Sequence, residues 1–146
     1  MLIAYFTTDE VNEWVANRLA ADCGVTVCPM FLNAEPAEEG FDALLFDWDF
    51  LPAVWREEAL TTLTTRPLAC PVAVHSYHLS EKQIQALRGN GVQVRRRLQP
   101  SLLQALVQVV VQDRPTRRSG AAAPAMTEEH RETPVDAGAS CPASSR

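Results

Sequence analysis

The chain has 146 residues, 47% of them hydrophobic and 21% charged, and a formal net charge of −5. That length is enough for one globular domain with a real core, and the negative balance argues against a nucleic-acid partner. Four cysteines, Cys23, Cys28, Cys70 and Cys141, fit no zinc-ligand spacing and read as free thiols of a reducing compartment. The start MLIAYFTTDE has neither a basic segment nor a long apolar core, so a signal peptide is not expected. LLQALVQVVV, broken by Gln104 and Gln108, is too short for a membrane span, and a cytoplasmic location is the expectation.

In chain order, residues 2–6, LIAYF, suit a fully buried strand. In TTDEVNEWVANRLAADCG, Thr7 and Glu10 have the spacing of a capping box with Thr7 as N-cap. Val11, Trp14, Val15 and Leu19 then recur at helical spacing, and Gly24 stops the helix. VTVCPMF (25–31) reads as a second strand, and NAEPAEEG (33–40) allows at most a brief helix. FDALLFD (41–47) is the third strand, followed by a helix over 52–67 with Pro52 near its start and Pro67 after its end. LACPVAVHSY (68–77) is a fourth strand. Ser80 and Gln83 form a second capping box, opening a helix that ends on Gly89 and Gly91. VQVRRRL (92–98) is a fifth strand, and Pro100 opens the last helix. Apolar strands alternating with helices predict a parallel, doubly wound α/β sheet covered on both faces, spanning residues 1–112. From Asp113 to Arg146 the chain lacks Leu, Ile, Phe, Trp and Tyr, so 113–146 is expected to be a disordered, solvated tail.

In such a sheet, ligands and chemistry gather at the carboxyl ends of the strands. These ends carry Phe6, Thr7, Thr8 and Asp9; Asp47, Trp48 and Asp49; His75, Ser76 and Tyr77; and Arg95, Arg96 and Arg97. Asp42, Asp47 and Asp49 follow or interrupt an apolar run, and a buried carboxylate is costly unless something satisfies it. Trp48 reads as a packing residue. His75 and His78 read as ordinary, because their spacing at a strand end is no ligand geometry without a third partner. The Arg95–Arg97 run has the chemistry to bind a phosphate or an acidic partner, or to stand in solvent.

The order of elements over 1–112 and the string DALLFDWD resemble a response-regulator receiver domain. The resemblance implies a flavodoxin-like fold with strand order 2-1-3-4-5. It also places Asp47 at the phosphoacceptor position, Ser76 at the phosphoryl-binding hydroxyl and Arg96, in RRRLQPSLL, at the lysine. The family's consecutive acids that help bind Mg²⁺ are replaced by Phe6 and Thr7. Asp9 and Glu10 come later, where the helix dipole and a capping box account for acids. Arg is not a conservative exchange for Lys. Pro52 lies five residues after Asp47 where the family has four, and Arg97–Leu98 stands where the family has Lys-Pro.

The resemblance therefore implies a degenerate pseudo-receiver, not an enzyme, without a cofactor. It would act by protein–protein recognition in two-component-type signalling, with a histidine kinase or another signalling protein as partner. A homodimer is the other partner expectation. It would use the face of the 80–91 helix, the fifth strand and the last helix, whose Leu102, Leu103, Leu106, Val107, Val109, Val110 and Val111 exceed one stripe. No nucleic-acid or membrane partner is expected. One alternative is a phosphorylatable single-domain regulator, with Asp47 as phosphoacceptor, Arg96 replacing lysine, and Mg²⁺ on Asp47, Asp49 and Asp9. Another is a flavodoxin-like small-molecule or flavin binder, although the turn FTTDEVNE lacks the Gly of a phosphate-cradling loop.

Overall fold

The computed structural model describes residues 1–30 and 40–119, with side chains through residue 113. Five parallel strands, β1 (Leu2–Phe6), β2 (Thr26–Met30), β3 (Ala43–Asp47), β4 (Val72–His75) and β5 (Gln93–Arg95), form one sheet in the order β2-β1-β3-β4-β5. Around it lie α1 (Glu10–Asp22), α2 (Ala53–Thr65), α3 (Glu81–Gly89) and α4 (Pro100–Ser119), with a 3-10 turn at Trp48–Phe50. This is the α/β fold expected from the alternating pattern, in the strand order of flavodoxin-like sheets. The brief helix expected over 33–40 falls almost wholly outside the described residues, as does the tail from residue 120. The backbone of α4 continues to Ser119, past the change of composition at Asp113.

Strand side chains alternate between the two faces, which splits the core in two. Ile3, Tyr5, Ala43, Leu45 and Ala73 pack against Ala16 and Ala20 of α1 and Leu102, Leu103, Leu106 and Val110 of α4. On the other face, Val72, Val74 and Val94 meet Leu63 of α2, Ile84 and Leu87 of α3, and the buried Trp48. The α1 packing differs from the sequence expectation. Val11 and Trp14 are 66% and 69% exposed, and the buried positions are Ala16 and Ala20, whose small side chains let the helix lie close to the sheet.

The capping box at Ser80 is present: Gln83 N–H donates to Ser80 Oγ at 3.3 Å, and Ser80 N–H to Gln83 Oε1 at 2.9 Å. The one predicted at Thr7 is not. Asp9 is the N-cap of α1, its Oδ2 accepting from Asn12 N–H at 3.1 Å, and Thr7 Oγ accepts from Asp9 N–H at 3.0 Å. Gly24 and Gly91 take the left-handed conformation after α1 and α3, with φ of 67° and 85°. No described helix is long and apolar enough to cross a membrane.

Replacing Ser80 by Ala removes one half of the capping box and should cost about 1 kcal/mol. Urea denaturation should show this as a lower midpoint at unchanged slope.

Candidate functional site

The alternation that builds the core also builds the site. Tyr5 on β1, Asp47 on β3 and His75 on β4 all face α1 and α4, and Asp47 and His75 are register partners. Thr7, one residue beyond β1, reaches the same face. The Asp47 side chain is only 1% exposed, so its carboxylate needs donors from the protein. Thr7 Oγ–H and an Asn12 side-chain N–H each donate to its Oδ2 at 2.8 Å. The Tyr5 hydroxyl lies 3.5 Å from the same oxygen and 2.9 Å from His75 Nε2. One O–H cannot serve both well, and the shorter contact is the stronger bond.

Burial, and then the Asp47 charge, push the Tyr5 hydroxyl far above its ordinary range, so it remains a donor. Burial likewise lowers the His75 pKa, against the opposing pull of Asp47 and Asp49. A neutral His75 accepting from Tyr5 at Nε2 carries its proton at Nδ1, which faces Asp47 Oδ1 at 3.8 Å.

A second cluster surrounds Asp49 on the 3-10 turn. Ser76 Oγ–H donates to Asp49 Oδ1 at 2.5 Å, Tyr77 N–H donates to Oδ2 at 2.8 Å, and His78 Nδ1 stands 3.2 Å from Oδ1. Partial burial raises the Asp49 pKa, but the Ser76, Tyr77 and His78 contacts together outweigh it and hold the carboxyl below its usual range. Ser76 Oγ also accepts from His78 N–H at 3.0 Å and Leu79 N–H at 3.1 Å.

The remaining site candidates separate. Arg96 donates to the carbonyls of Tyr77 and Leu79, at 3.2 and 3.3 Å, and forms no hydrogen bond or ion pair with Asp47. An Asp47–Arg96 pair is therefore absent: a single guanidinium nitrogen, Nη1, bridges two carbonyls of the loop after β4. Asp9 is taken up as the α1 N-cap, which leaves Asp47 and Asp49 without the third acid of the Mg²⁺ alternative. Among the described residues, no three His, Cys, Asp or Glu side chains are grouped to hold a metal ion. The donor set does not fit one either. Thr7 and Asn12 direct hydrogens at Asp47 Oδ2, the polarity opposite to that of metal ligands. Phe6, in the other acid slot, stacks on Phe46 at a centroid distance of 4.7 Å. Asp42 serves the opposite, amino-terminal ends of the strands, its Oδ2 accepting from Leu2 N–H at 2.8 Å.

Sequence reasoning passed over Tyr5 and Asn12 and read His75, at its strand end, as ordinary. The signal available was the period-two phase linking Tyr5 to Thr7 and Leu45 to Asp47, which puts a phenol and a hydroxyl beside the carboxylate. A cavity of about 190 Å³ borders Asp47, His75 and Asp49. No family model matches the chain, and no curated protein is significantly similar to it.

Thr7→Val preserves shape but removes the hydroxyl that serves both Asp47 and Asp9, and should cost about 1–3 kcal/mol by denaturation, whereas Thr7→Ser should cost far less. Stability should also fall with acid in two windows. His75 has a folded pKa below its ordinary 6.5, so its contribution is complete above 6.5 and is lost as pH drops from there to the folded value. Asp49 has a folded pKa below 3.8, so its contribution is present above 3.8 and is lost as pH falls through the folded value. Urea midpoints measured across pH should decline below 6.5, and His75→Gln should flatten that first decline.

Proposed function

We propose that this chain is a non-catalytic, receiver-like signalling module that acts by protein–protein recognition, with its phosphorylation chemistry replaced by internal hydrogen bonds. The observation that carries this reading is the state of Asp47, 1% exposed and with Oδ2 already holding Thr7 and Asn12. A phosphoacceptor must present an oxygen in line to the incoming phosphorus, with metal and basic groups neutralising the charge. Asp47 has neutral donors in place of those groups, and the guanidinium at the lysine position is engaged elsewhere.

The partners of Ser76 support the same reading. Its hydroxyl, at the position where the family binds a phosphoryl oxygen, is bonded to the carboxylate of Asp49. On this reading the fixed Asp49 charge takes the part of a transient phosphoryl group, holding Ser76 without phosphorylation. Tyr77 N–H adds a second donor to that carboxylate.

Large exposed side chains support a protein partner, such as a histidine kinase or another signalling protein in the cytoplasm. Trp14 and Val11 on α1, Val54 and Trp55 on α2, and Phe50 and Tyr77 beside the site are all well exposed. The α3–β5–α4 face is less favoured, since Leu102, Leu103, Leu106 and Val110 turn inward and Val111 is the large apolar residue left exposed on α4. A flavin reading has less support, because the β1–α1 turn offers the Asp9 carboxylate rather than a Gly-rich phosphate cradle.

Incubation with acetyl phosphate and Mg²⁺, and beryllofluoride titration followed by NMR, test the proposal. The expected result is no labelling and no Mg²⁺-dependent shift at Asp47. Labelling that disappears in Asp47→Asn would overturn it.

A further inference from the structure

The cavity beside Asp47 has a graded lining. Its most buried members are Asp47 and His75, 1% and 5% exposed. The donors to Asp47 converge on Oδ2, and Oδ1 receives no hydrogen bond from the described residues; it only faces His75 Nδ1, at a non-bonding 3.8 Å. Asn12 gives its N–H to Oδ2, which leaves its amide oxygen as a further acceptor at the cavity. Val15 and Leu98, both half-buried, supply apolar wall. Arg97, exposed, lines the cavity too, and its guanidinium makes no hydrogen bond or ion pair with the described residues. The other lining acid, Asp49, is already engaged by Ser76, Tyr77 and His78.

Asp47 Oδ1 opens onto the cavity without a donor from the described residues, so a ligand that brings a charged donor can replace water there. An anion alone would meet the Asp47 charge, and a large ring system exceeds about 190 Å³, below the usual range for drug-sized ligands. We propose that the cavity binds a compact zwitterion, a primary ammonium and a carboxylate joined by a short aliphatic chain. The ammonium donates to Asp47 Oδ1 and the Asn12 amide oxygen, the chain lies against Val15 and Leu98, and the carboxylate pairs with the planar fork of Arg97. Binding is non-covalent. The proposal goes beyond the signalling reading and does not rest on it, since ligand binding and phosphorylation are scored by separate measurements.

The test is an NMR and calorimetric titration of the full chain with glycine, β-alanine and γ-aminobutyrate, with propylamine and butyrate as single-charge controls. At least one of the three amino acids should give saturable shifts at the Asn12 side-chain amide and at the Phe50 and Leu98 backbone, about tenfold tighter than either control, the equivalent of about 1.4 kcal/mol. Arg97→Gln, at an exposed position, should lower amino-acid affinity to that of propylamine and leave propylamine binding unchanged. Failure of all three amino acids to saturate overturns the proposal. So does control binding as tight as theirs, or an Arg97→Gln variant that binds them as tightly as the parent chain.

Discussion

The site depends on the burial of one carboxylate. Asp47 closes the central strand β3 almost entirely out of water, and an isolated charge there would be prohibitively costly. Its donors come from the end of β1 and the first turns of α1, and its neighbouring ring comes from β4. The carboxylate therefore ties β3 to the end of β1 and to α1, at the carboxyl ends of the strands where an open parallel sheet presents its functional residues. Thr7 is the joint in this arrangement, because its one oxygen donates to Asp47 and accepts from the N–H of Asp9, the residue that starts α1.

The polarity around Asp47 decides what the site is suited to. Cation-dependent phosphoryl transfer needs several oxygen ligands converging on an empty centre. Here hydrogens converge on Asp47 Oδ2 instead, and Phe6 packs on the opposite face of the sheet against Phe46. A second carboxylate, Asp49, is held by hydrogen-bond donors in the same way. The Ser76 hydroxyl and the Tyr77 N–H both donate to the Asp49 carboxylate, so the loop after β4 is held by a charge the chain itself carries.

Much of the fold was legible in the sequence because hydrophobic periodicity is a local property. The strand-like runs around 2–6, 25–31, 41–47, 68–77 and 92–98 each contain the observed strand, and Ser80 with Gln83 marks a real helix start. The errors arose where local rules met long-range demands. Thr7 has the residue type and spacing of an N-cap, yet its hydroxyl is recruited by Asp47, forty residues away, and Asp9 takes the cap. Val11 and Trp14 have the spacing of a buried stripe, but the sheet accepts the small face of α1, Ala16 and Ala20, instead. Arg96 ends a strand beside Asp47 in the chain pattern, yet its Nη1 donates to two carbonyls of the neighbouring loop instead.

The sequence by itself determined the alternation of strands and helices, the parallel sheet, and the placing of Asp47 at a strand end. Pattern and chain connectivity leave few other solutions for so many apolar runs. Only the tertiary structure decided what Asp47 is bonded to. Tyr5, Thr7, Asn12 and His75 are scattered through the chain and meet because adjacent parallel strands bring the same face of each into register beneath α1. Hydrogen bonds act over about 3 Å, so the partners of a buried carboxylate are set by neighbours in space, which no local stretch such as FDALLFDWDF contains.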